Sequence, residues 1–335
     1  MRSSLAALAQ LGGTALAMAL VLTGCQEKKH PAPTTAVSPQ AGAVEPIRIA
    51  NAAVELVIDP VKGRIMHYGF IGGANMLWTS DKAIELAPKF GGWENWGGDK
   101  TWPWPQSAWG WPPPVPQTPW DCVKNKDGSV EMTSPLLPKY GVRMIRRVEL
   151  AKKGTAVTIT SRFEGEAGVS GAPIAMWAIT QVPTTDLVLM RSAPAAGGIR
   201  VNNMGDAVQT IQARPLTPRV AWLQRDPNRS GKVGADADAI LCAYGETAML
   251  VRDLTDPVAI GTYDLLARGQ LYVHPGQADN IPVPGKSYFE VEFISPTAPL
   301  SARSPVELKI HWSLLKLDAK TRTPQALAEM LEKME

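Results

Sequence analysis

Short runs of β-branched and aromatic residues, each bounded by Gly, Pro, Asn or Asp, recur between residues 53 and 317. Such runs are typical of half-buried strands. Two pairs of runs flank short glycine-bearing connections, AKKGT and YGETA, which predict hairpins and hence antiparallel pairing. So many short strands in one 335-residue chain predict an all-β fold, a large antiparallel β-sandwich. The predicted strands are Ala53–Ile58, Arg64–Phe70, Val142–Leu150, Ala156–Phe163, Ile174–Val182, Ala239–Ala243, Met249–Asp253, Tyr288–Ile294 and Val306–Leu317.

The C-terminal residues predict a short helix. Thr323 is a suitable N-cap, and Pro324 suits the first helical turn. The apolar residues after it follow helical spacing: Leu327, Met330, Leu331 and Met334. We therefore expect a β-sandwich domain over residues 47–318 and a C-terminal helix within 319–335.

The N-terminal residues predict export from the cytoplasm. Leu5 to Leu22 carries no charge and ends at small residues, which favours a signal peptide over 1–24 rather than a spanning helix. The block LTGC resembles the bacterial lipobox, which implies lipidation at Cys25. Gln26 implies sorting to the outer membrane, as a cell-envelope lipoprotein that faces the periplasm or the surface. Residues 25–46, rich in Pro, Thr, Ala and Ser, predict a flexible tether.

Charge and motif content exclude several classes of function. The formal net charge of +3 lacks the one-sided excess of a nucleic-acid-binding protein. Neither HExxH, GxSxG, a phosphate loop nor a dinucleotide fingerprint occurs, so we expect no cofactor. The start of a calcium loop at Asp226 has Ala237 at position 12, so we also expect no metal. Cys122 and Cys242 fit a disulfide and free thiols equally well.

The segment from Pro88 to Trp120 is the most unusual part of the chain, with seven of its 11 Trp, eight Pro and five Gly. Its prolines predict a rigid, irregular loop laid over the sandwich. Indole rings offer wide apolar faces that suit a sugar ring, at about 1 kcal/mol for each stacked face. The alternative is that these rings are ordinary core. The candidate ligand-binding residues are Trp102, Trp104, Trp109 and Trp111, with Asp99, Lys100 and Gln106 as polar partners.

Two glutamates alternate with apolar residues in SYFEVEFISP, Ser287 to Pro296. A strand here places Glu290 and Glu292 on one face and Phe289, Val291 and Phe293 on the other. A carboxylate in a site can accept a proton from a sugar hydroxyl. The alternative is a solvated strand face. A basic cluster on an earlier strand, Arg143, Arg146 and Arg147, is interpreted as a solvated edge.

Four blocks together resemble the galactose-mutarotase-like (aldose epimerase) superfamily, and within it a bacterial lipoprotein subgroup. They are VELVIDPVKGRIMHYGFIGGANMLW, GGDKTWPWPQ, GKVGADADAILCAYGE and YFEVEFISP, and they span most of the chain after the tether. The resemblance implies an antiparallel β-supersandwich that binds a sugar on its concave sheet.

The same resemblance implies roles for single residues. In aldose epimerases of this fold a late-strand glutamate is the base toward the anomeric hydroxyl, and Glu290 matches it, with Glu292 where those enzymes often carry Gln. The histidine that protonates the ring oxygen does not carry over, because PIAMWAITQVP offers Trp177 and Gln181 instead. His67 is kept as a binding candidate; like the remaining histidines, including His274 and His311, it is more typical of a structural or solvated position than a catalytic one.

Three functions remain open. The favoured one is a lipid-anchored carbohydrate-binding protein that holds a sugar between the Trp-rich segment and the concave sheet. The second is an epimerase or other glycan-processing enzyme with Glu290 as general base and an unidentified acid. The third is a structural envelope lipoprotein. The first two predict that Glu290, Lys100 and at least two of the four candidate tryptophans meet at one cavity.

Overall fold

The computed structural model describes residues 44–85, 93–165, 173–204, 210–256, 268–274, 277–278, 281–282, 287–300 and 307–334. The predicted signal peptide, Cys25 and His30 lie outside these residues, as do 86–92 and Val306. Helix α1 spans Pro324–Lys333. The strands of the first half are β1 Ile47–Ala50, β2 Val54–Asp59, β3 Arg64–Phe70, β4 Thr79–Glu85, β5 Glu94–Gly97, β6 Asp99–Trp104, β7 Asp121–Lys124, β8 Val130–Thr133, β9 Val142–Leu150, β10 Val157–Gly165, β11 Pro173–Pro183 and β12 Leu187–Ser192.

The strands of the second half complete two large sheets. They are β13 Asn202–Asn203, β14 Ile211–Pro215, β15 Val220–Arg225, β16 Gly231–Ala235, β17 Ala237–Tyr244, β18 Thr247–Asp253, β19 Gly269–His274, β20 Gln277–Ala278, β21 Ile281–Pro282, β22 Tyr288–Ile294, β23 Ala298–Pro299 and β24 Glu307–Lys316. The front sheet has the order β1-β2-β3-β6-β11-β22-β19-β16-β13, with β23 also paired to β11. The back sheet has the order β14-β15-β12-β17-β18-β24-β10-β9-β8-β7. Every strand pairing in the described chain is antiparallel, as predicted.

Local sequence signals account for much of this architecture. Strands β3, β9 and β22 have the predicted bounds, and both predicted hairpins form, β9 with β10 and β17 with β18. The predicted cap of α1 is present, since the Thr323 side chain accepts a hydrogen bond from the backbone N–H of Ala326. Pro324 occupies the first turn, where its missing N–H costs nothing.

The main core fills the space between the two sheets. Front-sheet residues such as Val291 and Phe293 meet back-sheet residues such as Ile310 and Trp312 there, and all are nearly inaccessible to solvent. On the outer face of the back sheet, Leu327 and Leu331 of α1 join a second cluster with residues of β12 and β17. A third cluster, rich in tryptophan, lies on the outer face of the front sheet.

The expectation of a solvated basic edge on β9 is wrong for Arg146. Strand β9 lies between β8 and β10, so it is not an edge, and Arg146 is only 1% exposed. Its guanidinium forms an ion pair with Asp99 of β6, which also accepts a hydrogen bond from Thr180 at 2.8 Å. The alternation of a strand directs Arg146 inward, and the pair links the two sheets through the core.

The Trp-rich segment also differs from its prediction as an irregular loop. Its described residues include β5 and β6, and β6 pairs with β11 along its whole length, from Asp99 to Trp104. Strand β3 pairs with β6 only at Ile65–Asp99, so most of one edge of β6 has no strand partner among the described residues. A proline is tolerated at such an edge, which explains how Pro103 lies within a strand.

Candidate functional site

The outer face of the front sheet carries two adjacent rows of polar side chains. In one row, strand pairing places Lys232 opposite Tyr272, Tyr272 opposite Glu290, and Glu290 opposite Gln181. In the next row, Gln270 lies opposite Glu292, Glu292 opposite Ile179, and Ile179 opposite Lys100. Residues directly opposite in an antiparallel pair share a face of the sheet. The register therefore brings residues from five strands together around β22.

Glu290 is held by two donors that leave one of its oxygens available. Lys100 Nζ and Gln181 Nε2 both donate to Oε1 of Glu290, at 3.0 and 2.9 Å. Oε2 accepts no hydrogen bond from the described residues, and 16% of the side chain is exposed. Glu290 is thus a carboxylate with one oxygen fixed by two donors and the other without a hydrogen bond from these residues.

Glu292 lies deeper and is fully buried. Its Oε2 accepts hydrogen bonds from Lys232 Nζ and Trp177 Nε1, both at 2.7 Å, while its Oε1 has no hydrogen-bond partner among the described residues. Burial raises the pKa of the Glu292 carboxyl; the charge of Lys232 lowers it and that of Glu290 raises it further. Glu292 therefore holds Lys232 and Trp177 in place from beneath the site.

Two lysines lie against indole rings. Lys100 Nζ is 4.9 Å from the ring centroid of Trp102, and Lys232 Nζ is 4.8 Å from that of Trp177. These distances are typical of cation–π contacts. Burial lowers the pKa of Lys100, while the neighbouring Glu290 carboxylate raises it. The lysines therefore fix the glutamates and tryptophans relative to one another.

Edge-to-face contacts join the tryptophans into one cluster. Trp102 contacts Trp93, Trp109, Trp111 and Trp177 with ring centroids 5.4–5.8 Å apart and planes inclined at 77–88°. Such geometry is favourable for aromatic pairs. Trp93, Trp102 and Trp177 are buried, whereas Trp111 is 38% exposed. The rings are thus partly a small core of their own and partly a wall open to solvent.

A cavity of about 250 Å³ lies between this wall and the polar rows. It combines a carboxylate, three amides, a lysine, a histidine and several aromatic rings. Its lining residues are Trp93, Asn95, Trp102, Gln106, Trp111, Trp177, Gln181, Lys232, Tyr272, His274, Tyr288 and Glu290. Convergent polar groups in a largely aromatic cavity are characteristic of small-molecule sites.

His274 lines this cavity from the end of β19 and is only 3% exposed. Its ring stacks on that of Tyr288, with centroids 4.9 Å apart and planes at 8°. Since His274 pairs with Tyr288 on β22, Glu290 is its diagonal neighbour on the same face, at a Cα separation of about 7–8 Å. The interpretation of His274 as a structural or solvated residue missed its position beside Glu290.

The predicted convergence is present in part, because Lys100 is not among the residues that line the cavity. Glu290, Gln106, Trp102 and Trp111 line the cavity, and Lys100 donates a hydrogen bond to Glu290. Two other predicted tryptophans lie behind the lining. Trp104 packs on Trp177 at 5.3 Å between centroids, and Trp109 packs on Trp102 and donates from Nε1 to the Pro103 carbonyl at 2.9 Å.

Two predicted binding residues lie elsewhere. Asp99 precedes Lys100 in a strand, so the two side chains point to opposite faces, and Asp99 is buried in the core with Arg146. The prediction that both face one pocket was wrong because it treated the segment as a loop. His67 lies on β3 with its Nε2 3.9 Å from Glu55, and it is not among the residues that line the cavity.

The remaining sequence predictions meet the structure as follows. Cys122 and Cys242 are both free thiols, on β7 and β17. Within the described ranges, no cluster of three or more His, Cys, Asp or Glu side chains is arranged to hold a metal ion. Among the same residues, no helix is long and apolar enough to cross a bilayer.

Comparisons with known proteins concern the fold. No protein-family model matches the chain, and no curated protein does. Solved structures do match. A proposed mutarotase, YeaD, of Salmonella typhimurium is 16% identical with a TM-score of 0.51, and the match covers 81% of this chain and 90% of that one. A galactose mutarotase-like protein of Lactobacillus casei is 12% identical with a TM-score of 0.51, and the match covers 81% of this chain and 100% of that one. A TPR-domain containing protein of Parabacteroides distasonis matches over 83% of this chain and 48% of its own, with 15% identity and a TM-score of 0.53. The chain thus has the galactose-mutarotase-like fold, as the sequence blocks predicted.

Proposed function

We propose that the cavity over β22 binds a carbohydrate and that the protein is a carbohydrate-binding protein. The observation that carries this proposal is the meeting of Glu290, with Oε2 available, and four tryptophans around one cavity. A sugar ring presents apolar C–H faces and a rim of hydroxyls. The indole faces suit the former, and the carboxylate and the Gln181 amide suit the latter.

The size of the cavity supports a small sugar. Its volume of about 250 Å³ lies just below the 300–1,000 Å³ that is typical of sites for drug-sized ligands. One sugar unit therefore matches the enclosed space better than a longer chain.

The test is a titration of intrinsic tryptophan fluorescence with a panel of monosaccharides. Binding beside Trp102 and Trp111 changes their emission, and Trp111→Ala weakens the affinity about fivefold, as expected for one stacked face. Trp222→Ala is the matched control, since Trp222 is a half-buried ring on β15 of the back sheet. If none of the sugars alters the emission, the proposal is wrong and the rings serve as core only.

A second candidate, an aldose epimerase, is favoured by the position of His274. Ring opening of an aldose needs a base toward the anomeric hydroxyl and an acid at the ring oxygen. Glu290 supplies the carboxylate, and His274, its diagonal neighbour, supplies the acid that the sequence left unidentified. The proton leaves the hydroxyl for Glu290 as His274 gives one to the ring oxygen, and the reverse transfers close the ring on the other face. Anomer exchange measured by NMR, with and without the protein, separates this enzyme from a binding protein.

The cellular setting that we propose is the outer membrane, with the protein anchored through lipidated Cys25. Support comes from the block LTGC after an uncharged run and from the Pro-rich residues that follow it. The Cys25→Ala variant is expected to lose the membrane fraction, and mass spectrometry of the mature protein is expected to find the lipid on residue 25. A mature protein that lacks this lipid contradicts the anchor without affecting the sugar site.

A further inference from the structure

An open groove of about 530 Å³ lies beyond the cavity at the same end of the front sheet. Its walls include Trp78, Thr79, Pro183, Thr184, Tyr244 and Ser287. The groove is formed where β11 ends and β22 begins, facing the β17–β18 turn of the back sheet. Its volume is about twice that of the cavity.

An aromatic stack leads from the cavity to this groove. Tyr288, which lines the cavity, lies between His274, at 4.9 Å, and Trp78, at 4.5 Å between ring centroids. Trp78 in turn lines the groove. The Tyr288 and Trp78 rings therefore lie between the two spaces and bring them close together.

The chemistry of the groove resembles that of the cavity without its charges. Tyr244 is 49% exposed and offers an open ring face. Thr184 and Ser287 share one hydrogen bond at 2.8 Å, so their hydroxyls keep further capacity to donate and accept. Within the described residues, no charged side chain lines the groove. These groups suit a neutral, hydroxyl-rich ligand.

We propose that the groove binds further units of a neutral oligosaccharide whose terminal unit occupies the cavity. This inference rests on the proposed carbohydrate function and names its ligand as a chain rather than a single sugar. The cavity is large enough for about one unit, and the groove, which lies on the other side of the Tyr288 and Trp78 rings, has room for more. The ring of Tyr244 provides the stacking face for a unit outside the cavity.

The test measures the affinity of the full chain for glucose and for its α-1,4- and β-1,4-linked oligomers of increasing length. The affinity is expected to rise about fivefold or more from the monosaccharide to the trisaccharide of one linkage, because another ring face is buried. Tyr244→Ala is expected to abolish this increase and to leave the monosaccharide affinity unchanged. Tyr244 lies at an exposed turn, so the variant retains the fold. Val123→Ala, which alters an exposed residue on β7, is the control.

Each outcome discriminates between the two proposals. If glucose binds and longer oligomers bind no tighter, or if Tyr244→Ala weakens all lengths equally, the groove is not a binding site and the cavity proposal stands. If no oligomer of any length binds and no monosaccharide of the panel changes the tryptophan fluorescence, the carbohydrate function itself is wrong. A length-dependent gain that requires Tyr244 supports the inference.

Discussion

Lys100 donates a hydrogen bond of 3.0 Å to Oε1 of Glu290, although the two residues are 190 positions apart in the sequence. The bond crosses β11, which lies between β6 and β22 in the front sheet. Gln181 of β11 binds the same oxygen at 2.9 Å. Three strands thus fix the orientation of one carboxylate, and Glu290 lines the cavity.

Glu290→Gln is expected to weaken sugar binding about 10- to 100-fold. The variant keeps the size of the side chain but loses a charged hydrogen bond to the ligand, worth about 1.5–3 kcal/mol. The measurement is a fluorescence titration with a sugar that binds the native protein. Glu149→Gln, a substitution at an exposed position of β9, is the control. Equal affinity for native protein and Glu290→Gln contradicts a direct contact.

His274→Gln separates binding from catalysis. If the cavity interconverts anomers, the variant is expected to slow exchange by about 100-fold or more, the usual contribution of a general acid. Its affinity for sugar is expected to stay within a few-fold, because Gln preserves a polar group at the wall. His311→Gln, on β24 of the back sheet, serves as the control. An unchanged exchange rate in His274→Gln excludes His274 as the acid.

Gly98→Ala is expected to destabilise the fold more than Gly154→Ala. Both glycines have positive φ, at 72° and 76°, which costs an L-residue about 1–2 kcal/mol. At Gly98 an added Cβ also meets the Ile65 carbonyl oxygen at 2.4 Å, whereas nothing lies within 4 Å at Gly154. Urea unfolding of the two variants measures the difference. Equal losses of stability refute a steric role for this close approach next to β6.

Arg191→Met is expected to cost about 3–5 kcal/mol, since it leaves the buried carboxylate of Asp238 without its main partner. Arg191 binds both oxygens of Asp238, at 2.8 and 2.9 Å, and donates to the Leu331 and Met334 carbonyls at the end of α1. Arg219→Met, which removes a more exposed and longer contact to Asp238, is expected to cost about 1 kcal/mol or less. Hydrogen exchange is expected to increase in α1 for Arg191→Met alone; equal exchange in the two variants contradicts this role.

The stability of the protein is expected to fall on mild acidification, partly through His67 and His311. Burial lowers the pKa of both; Glu55 opposes this at His67, while Arg252 and Lys309 add to it at His311. The unfolded chain then takes up protons near pH 6.5 before the folded one does, so stability present above this pH is lost below it. Urea unfolding at about pH 7 and pH 5 should show a smaller loss for the double variant His67→Gln, His311→Gln. The same loss in both proteins contradicts this prediction.

The fold was predictable because its signals are local. Alternation placed Glu290 and Glu292 opposite the apolar residues of β22, and turn and cap residues located the hairpins and α1. Strand order is not a local property, however. The contribution of Lys232 and Tyr272 to the cavity depends on the pairing of β16, β19 and β22, which no spacing in the sequence specifies.

The error at Asp99 arises from the density of Trp and Pro in its segment. That composition favours a loop, whereas the residues of β6 alternate between the tryptophan cluster and the core, a pattern that was available from DKTWPW. His274 was interpreted as a structural or solvated residue, and the residue after it is Pro275. The end of a strand is nevertheless a position from which a side chain can reach a cavity, as His274 does.

Because the side chains of Asp99 and Lys100 point to opposite faces of the sheet, the register of β6 must be preserved. A deletion of one residue between Trp96 and Asp99 that shifted the register by one residue would turn Lys100 toward Arg146, so that two cations would meet in the buried core. The same shift would place Asp99 beside Glu290, so that two carboxylates would meet on the outer face. The fold and the proposed sugar site would be lost in the same event. Length changes in this short stretch are therefore intolerable in a way that most single substitutions are not.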